Sequence, residues 1–189
     1  THDTPRILTW LVDDFEGSRE EYSKRRISRN RLDIAYERLM MASFIQYTLP
    51  GSPSLYYGDE ACMEGYKDPF NRKGFPWNHI DTNLSAWYTW LGFLRKTCPV
   101  IKQGQFIPIS GASGCVCYAR MNETHPVLSP VGDALVVIAN RNPHPIDYWL
   151  PEELSDVTPV MNVGSHEGRK VTVGPCTAAL LGRGDWCRI

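Results

Sequence analysis

The sequence lacks the features that mark a membrane, metal-binding or nucleic-acid-binding protein. No apolar run approaches the roughly 18–20 residues that cross a bilayer. The formal net charge is -1, so we expect no basic surface for nucleic acid or for an anionic membrane. The six cysteines form no CxxC pair, and the histidines do not cluster near them. We therefore expect neither a metal site nor a bound cofactor.

The sequence also lacks an initiator methionine and an apolar leader, since it begins Thr1-His2-Asp3. We expect any targeting segment to lie upstream of residue 1. Irregular cysteine spacing in a chain of this size favours reduced, mostly buried thiols over disulfides. On that ground we predict a cytoplasmic location.

Helical spacing dominates the first half of the chain. Apolar residues from Leu32 to Tyr47 predict a helix that ends at Leu49-Pro50-Gly51. Its other faces are apolar too, so we expect it to be buried on several sides. A second helix is predicted from Leu84 to Cys98. Residues 7–12 favour a strand or a helical turn, and the charged residues 13–31 a solvated loop or an exposed helix.

A short strand and a long loop are predicted between the two helices. Residues 54–57, Ser-Leu-Tyr-Tyr, have the composition of a strand, and residues 59–83 have little periodicity. Loops of this length are usually functional or disordered, and their aromatic residues argue against disorder. Together the helix, strand, loop and second helix form the last piece of an alternating α/β pattern, with too few strands for a sheet of its own. We therefore expect further strands upstream.

After residue 101 the pattern changes to short apolar segments separated by Gly, Pro, Asn and Asp. It predicts an antiparallel β unit, most simply a sandwich. We place the domains at residues 1–101 and 102–189. The predicted strands lie near residues 106–109, 114–120, 134–140, 157–162, 169–173 and 176–181.

Three motifs occur in order before the β unit: HDTPR (2–6), LPGSPSLYYGDE (49–60) and MEGYKDPFNRKGFPW (63–77). Together they resemble the alpha-amylase family of glycoside hydrolases, and most of all its neopullulanase and cyclomaltodextrinase branch. The resemblance covers the whole chain. It implies an α/β plus all-β fold: the C-terminal end of a (β/α)8 TIM barrel followed by an antiparallel Greek-key β-sandwich.

The resemblance implies roles for four residues on the catalytic face of the barrel. Asp3 would hold the sugar being cleaved and stabilise the transition state, and His2 would bind hydroxyls of the same sugar. An oxocarbenium-like transition state gains positive charge, which a fixed carboxylate stabilises. Arg72, fixed by nearby acids including Asp68, would line the donor sugar site.

Four other residues are candidates at the same site. Tyr57 and Trp77 are predicted to line the cleft, and Asp59 and Glu60 to orient the loop. Two positions depart from the family pattern. Thr1 stands where Asn or Ser is usual, and Cys62 where this branch commonly has glycine, so the backbone there must accept a Cβ atom.

The resemblance also predicts what this segment does not carry. Retaining glycosidases use two carboxyl groups roughly 5–5.5 Å apart, and in this family both come from strands upstream of residue 1. We expect the full-length protein to hydrolyse α-glucosidic bonds in malto-oligosaccharides, cyclodextrins or pullulan, and this segment alone to be inactive. The expected partner is an α-glucan, with no nucleic acid and no membrane. The branch also implies that the full-length protein can form a homodimer.

Three alternatives stay open at this stage. A transglycosylase or isomerase of the same family would share these motifs. A non-catalytic carbohydrate-binding module would use the α/β part only as a platform. A degraded remnant would keep the motifs without activity. Substituting His2 and Asp3 by alanine distinguishes two of these hypotheses. An enzyme should lose reaction rate with a modest loss of binding, whereas a binding module should lose only binding.

Overall fold

The computed structural model describes residues 3–122 and 127–188, which form two compact units. The first unit contains the residues up to Ser43 together with Pro53–Trp90, and the second contains Phe44–Ser52 and the residues from Leu91 onwards. Within the described ranges, no helix is both long and apolar enough to cross a membrane. The predicted boundary at residues 101–102 concerns the domains of a longer protein and stays a prediction.

The first unit is helical. It contains α1 (Ile7–Trp10), α2 (Arg19–Lys24) and most of α3 (Arg29–Thr48) and α4 (Thr82–Thr97). Both long helices were predicted, and their observed bounds lie within a few residues of the predicted ones. Because α1 lies within residues 7–12, this segment forms a helical turn rather than a strand. The charged segment contains an exposed helix, α2, whose N-terminus is closed by a reciprocal capping box between Ser18 and Glu21.

The predicted strand at residues 54–57 is wrong for the described structure. These residues have no regular secondary structure, and the first unit contains no strand among the residues that the structure describes. An isolated β-strand is not stable, because its backbone N–H and C=O groups need neighbouring strands as hydrogen-bond partners. A strand-like sequence without such neighbours therefore stays irregular.

The expectation that α3 is buried on several sides is also not met. Only one row of its residues, including Ala35, Leu39 and Phe44, is buried. Met40, Met41 and Ile45, on the other faces, are only partly covered, and Ile34 is exposed. The helix therefore presents apolar surface that the described residues do not cover.

The second unit is an antiparallel β structure, as predicted. Its two sheets have the strand orders β1-β2-β3-β8-β5 and β4-β7-β6, and all neighbours pair antiparallel. β8 lies beside β5, while the intervening β6 and β7 belong to the other sheet, a non-sequential connection of the Greek-key kind. The strands are β1 (Gln105–Ile109), β2 (Cys115–Met121), β3 (Ala134–Asn140), β4 (Ile146–Trp149), β5 (Thr158–Met161), β6 (Val163–Glu167), β7 (Lys170–Val173) and β8 (Thr177–Arg183).

A single hydrophobic core joins the two sheets and identifies the unit as a sandwich. Met121, Val136 and Leu181 of the five-stranded sheet share this core with Tyr148 and Val171 of the three-stranded sheet. β3 is buried along its whole length, which its continuous apolar sequence Ala-Leu-Val-Val-Ile-Ala requires. A strand of this kind is covered on both faces.

The second face of the five-stranded sheet is covered by chain from the second unit itself, including the short helix α5 (Pro99–Gln103). The Tyr118 hydroxyl lies 2.6 Å from Thr48 Oγ1. Arg120 is fully buried and donates to the carbonyl of Gly104 through Nε and Nη2, and to the carbonyl of Thr48 through Nη1 at 2.9 Å. Arg120 therefore holds the covering segments on the sheet.

Replacing Arg120 by methionine is expected to destabilise the chain by about 2–4 kcal/mol, because two buried carbonyls lose their donors. Urea unfolding measures this change. The matched control is Arg141→Met, at an exposed position just beyond β3, which should change the stability by less than about 0.5 kcal/mol. Equal effects of the two substitutions would contradict the role assigned to Arg120.

Candidate functional site

Arg72 joins two of the predicted site carboxylates. Its Nη2 lies 3.1 Å from Asp3 Oδ1, and its Nε lies 2.6 Å from Asp68 Oδ1. The three side chains, here called the Asp3–Arg72–Asp68 cluster, are between 45% and 64% exposed. The guanidinium plane thus uses two of its edges on carboxylates and remains accessible to a ligand. The structure brings together residues that are 69 positions apart in sequence.

The segments on either side of this cluster are fixed by hydrogen bonds to backbone carbonyls. Asn71, next to Arg72 and 1% exposed, donates from Nδ2 to the carbonyl of Thr4, next to Asp3, at 2.8 Å. Two residues further along, the Arg6 N–H donates to the carbonyl of Gly65 at 2.8 Å. Only glycine fits at position 65, since a Cβ atom there would lie 2.7 Å from the Phe70 carbonyl oxygen. These contacts set the position of Asp3 relative to Arg72.

The buried side chain of Arg6 holds the loop that carries Arg72. The side chain of Arg6 is completely buried; its Nε donates to the Asn71 carbonyl at 2.7 Å, and its Nη1 donates to the Tyr57 carbonyl. Nη1 also lies 3.4 Å from Asp59 Oδ1. The guanidinium carbon sits 4.3 Å from the centroid of the Tyr56 ring and 4.5 Å from that of Tyr57, within cation–π distance. Arg6 therefore links the N-terminal motif to Tyr57 and Asp59 at the start of the loop and to Asn71 further along it.

Sequence reasoning assigned no role to Arg6 or Asn71. Both stand inside the quoted motifs, Arg6 at the end of HDTPR and Asn71 in the segment that carries Arg72. The signal that could have found Arg6 is a lone arginine that follows Thr-Pro and begins an apolar run, where a solvent-exposed charge is not expected. Its hydrogen-bond partners are backbone carbonyls, which no sequence pattern identifies.

Asp59 and Glu60 contact the loop itself. Asp59 is almost fully buried beside Arg6, and Glu60 Oε2 accepts the backbone N–H of Gly58 at 2.8 Å. Gly58 has a φ of 90°, and a Cβ atom there would lie 2.0 Å from the Met63 sulfur. A non-glycine residue at position 58 would therefore be both strained and overpacked. This geometry agrees with loop-orienting roles for the two acids, which stay a prediction.

The two predicted cleft aromatics are exposed. Trp77 is 77% exposed, and its ring centroid lies 4.7 Å from that of Phe75. Tyr57 is 41% exposed, and its hydroxyl donates to the carbonyl of Lys73 at 2.9 Å. Both rings are thus presented to solvent by the same loop that carries Arg72. That the two rings contact a sugar remains a prediction. His2, the remaining predicted site residue, lies outside the described residues.

Cys62 has a left-handed backbone, with φ 64° and ψ 33°. The resemblance indicated glycine at this position, and the observed conformation is one that glycine adopts without cost. The loop accepts the cysteine Cβ in this conformation. Burial raises the pKa of the Cys62 thiol to about 11, so the thiol is protonated at neutral pH. Across residues 3–122 and 127–188, no three His, Cys, Asp or Glu side chains are grouped so that they could hold a metal ion.

Stability should depend on pH through Asp59. Burial raises the pKa of this carboxyl to about 6, although the Arg6 charge opposes the rise. Between pH 4 and 6 the folded chain therefore holds a proton that the unfolded chain has lost, so this contribution to stability falls as the pH rises. The Asp59→Asn variant lacks this titration. Between pH 4 and 7 the free energy of unfolding of Asp59→Asn, measured in urea, should rise by about 2 kcal/mol relative to that of the parent. A difference that stays constant over this range would contradict the assignment.

Comparison with known proteins agrees with the motifs. No family model matches the chain. An amylopullulanase of Thermoanaerobacter thermohydrosulfuricus is 40% identical over 142 residues, which cover 73% of this chain and 9% of that protein. A maltogenic alpha-amylase of Bacillus acidopullulyticus is 28% identical over 173 residues, covering 88% of this chain and 24% of that protein. A cyclomaltodextrinase of a Bacillus species is 28% identical over 132 residues, covering 68% and 20%.

Solved structures with the same fold are also enzymes of this kind by name. The alpha-amylase of Anoxybacillus superposes with a TM-score of 0.70 at 23% identity, over 96% of this chain and 36% of the other. The cyclic alpha-maltosyl-(1→6)-maltose hydrolase of Arthrobacter globiformis superposes with a TM-score of 0.67 at 21% identity, over 97% and 34%.

The relatives named above are amylase-type glycosidases, and they match most of this chain. Over most of its length the chain is similar to enzymes of the alpha-amylase family of glycoside hydrolases, and it corresponds to a part of each of them. The cyclomaltodextrinases among the relatives are the branch that the motifs indicated. The chain spans less than a tenth of the length of the amylopullulanase named above and about a quarter or less of the maltogenic alpha-amylase and the cyclomaltodextrinase.

Proposed function

We propose that the chain is the C-terminal portion of an enzyme that hydrolyses α-glucosidic bonds with retention of configuration. The observation that carries this proposal is the Asp3–Arg72–Asp68 cluster, in which an accessible guanidinium is held between two carboxylates. Among the residues that the structure describes, this cluster joins predicted site residues of the first motif (Asp3) to those of the third (Asp68 and Arg72). Its charge and accessibility suit a site for sugar hydroxyls and a positively charged transition state.

In this proposal the first unit completes a (β/α)8 barrel with polypeptide from upstream. Two features support it. Apolar side chains of the first unit, Trp10, Ile34 and Leu55, are between 38% and 60% exposed, and α3 is apolar on faces that are only partly covered. Residues 54–57 also have a strand composition without neighbouring strands. Upstream strands and helices would bury these surfaces and give residues 54–57 their hydrogen-bond partners.

The chain's own residues would act on the sugar at the cleavage point. Asp3 would carry the negative charge that stabilises the oxocarbenium-like transition state, and Arg72 would orient Asp3 and bind hydroxyls of the donor sugar. His2 would bind hydroxyls of the same sugar, with Tyr57 and Trp77 along the cleft. The nucleophile and the acid/base carboxyl would come from upstream, so this segment alone would not break the bond.

The substrate class follows from the names of the relatives. These are amylopullulanases, a maltogenic alpha-amylase and cyclomaltodextrinases, and the first two structural neighbours are an alpha-amylase and a cyclic maltosyl-maltose hydrolase. We infer a substrate among malto-oligosaccharides, cyclodextrins and pullulan. A homodimer of the full-length protein and a cytoplasmic location stay predictions.

Product analysis tests the proposed function. The full-length protein is expected to convert maltotriose and β-cyclodextrin into shorter linear sugars with net release of reducing ends. The 189-residue chain alone should release none under the same conditions. Longer or rearranged products without net hydrolysis would replace this proposal with the transglycosylase or isomerase. Binding without any product would favour the carbohydrate-binding module.

A further inference from the structure

The outer face of the three-stranded sheet carries one large, exposed aromatic ring. Trp149 is the last residue of the edge strand β4 and is 66% exposed. The inner face of the same sheet contributes Tyr148, Val171 and Val173 to the sandwich core. Core packing therefore does not account for Trp149, and leaving so large a ring in water forgoes a substantial hydrophobic gain.

Polar groups beside this ring are held in place by one another. Asp147 and Trp149 lie on the same face of β4, about 7 Å apart along the strand. Asp147 Oδ2 accepts from Lys170 Nζ at 2.9 Å, and Asp147 Oδ1 accepts from Thr172 Oγ1 at 2.7 Å. Ser165 Oγ in turn donates to Thr172 Oγ1 at 2.9 Å. The chain of contacts crosses all three strands of the sheet.

The register places these groups in two adjacent rows. Trp149 pairs with Lys170 across β4 and β7, and Asp147 pairs with Thr172. Because Asp147, Lys170 and Ser165 are already held by their hydrogen bonds, these polar groups would lose little side-chain freedom when a ligand binds. The hydrogen bonds from Lys170 and Thr172 lower the pKa of Asp147, so its carboxylate is ionised at neutral pH and accepts hydrogen bonds.

The mixture of groups on this face fits a sugar better than a protein. The centre of a protein interface is usually an apolar patch with several aromatic and aliphatic anchors and few charges. Here a single ring is bordered by a carboxylate, an ammonium and hydroxyl groups. A pyranose ring has a matching pattern, with an apolar C–H face that packs on an aromatic ring and hydroxyls at its edge that need donors and acceptors.

We propose that Trp149, Asp147, Lys170 and Ser165 form a second α-glucan-binding surface, which holds a polysaccharide chain but takes no part in bond cleavage. The ligand class rests on the proposed function, whereas the surface is built only from β4, β6 and β7. The indole face of Trp149 would pack on a glucose ring, and the carboxylate, the ammonium and the Ser165 hydroxyl would bind hydroxyls of the neighbouring units.

The test compares binding with cleavage in the full-length protein. Affinity electrophoresis through gels containing amylopectin measures binding, and kcat/KM on maltotriose, which is too short to need a second surface, measures cleavage. Trp149→Ala should weaken amylopectin binding about fivefold or more and leave kcat/KM on maltotriose within about twofold. Trp149→Phe, which keeps a ring, should retain part of the binding. The matched control is Val116→Ala, an exposed apolar position on β2 of the other sheet, which should change neither quantity.

Several results would overturn the second surface. The proposal fails if Trp149→Ala binds amylopectin as tightly as the parent, or if only Arg72→Ala lowers the affinity. It also fails if amylopectin in the gel does not retard the parent protein. A parallel fall in kcat/KM on maltotriose would show general damage and would also overturn it. If the parent binds amylopectin through Trp149 but cleaves nothing, the proposed function fails while the surface stands.

Discussion

Replacing Asp3 by asparagine in the full-length protein is expected to lower kcat on maltotriose by about 10²–10³-fold, with KM within about threefold of the parent value. Asparagine keeps the size of the side chain and can still hydrogen-bond to a sugar. It lacks the negative charge that would stabilise a positively charged transition state. The loss should therefore fall on the chemical step, and steady-state kinetics on maltotriose separates the two constants.

Stability and a matched control distinguish this effect from damage to the fold. Because Asp3 and Arg72 are 64% and 46% exposed, their ion pair should contribute only about 0–1 kcal/mol. Asp3→Asn should thus unfold at nearly the parent urea concentration. Asp14→Asn changes an exposed aspartate of the same unit and should leave kcat within about twofold. An Asp3→Asn protein with more than a third of the parent kcat would rule out a transition-state role for Asp3.

Replacing Arg6 by methionine is expected to destabilise the chain by about 3–5 kcal/mol at pH 7. The substitution removes the donors for the Asn71 and Tyr57 carbonyls and leaves the Asp59 carboxylate buried without its cation. The loop that carries Arg72 should also open more often, because Arg6 donates a hydrogen bond to the carbonyl of Asn71, the residue before Arg72. Urea unfolding measures the stability, and amide hydrogen exchange of residues 57–72 measures the loop.

The pH dependence gives this prediction a second, independent readout. At pH 5 the Asp59 carboxyl is protonated in the folded chain, so the Arg6→Met variant no longer buries an unpaired charge and its cost should shrink. Arg29→Met, at the exposed start of α3, serves as the control and should change the stability by less than about 0.5 kcal/mol at either pH. A cost below 1 kcal/mol at pH 7 would mean that Arg6 does not organise the loop.

Periodic patterns predicted the elements whose own sequences carry a marked apolar pattern. The helices α3 and α4 and six of the eight strands in the described ranges were predicted, because apolar residues recur in them at spacings of 3.6 or 2 or in continuous runs. β4 and β6 were missed. β4 is only four residues long, and β6 is polar and contains glycine, so neither has a marked pattern. Their formation depends on pairing with β7 between them.

The alternating apolar residues and the turn residues between short segments were enough to predict an antiparallel β unit, and the three ordered motifs were enough to indicate a resemblance to the alpha-amylase family. Only the tertiary structure decided that Arg72 lies between Asp3 and Asp68, that Arg6 is the buried support of their loop, and that residues 54–57 form no strand here. The physical reason is that helical and strand propensities act over a few residues and leave a periodic trace. A hydrogen bond between a guanidinium and a carbonyl 65 residues away leaves none.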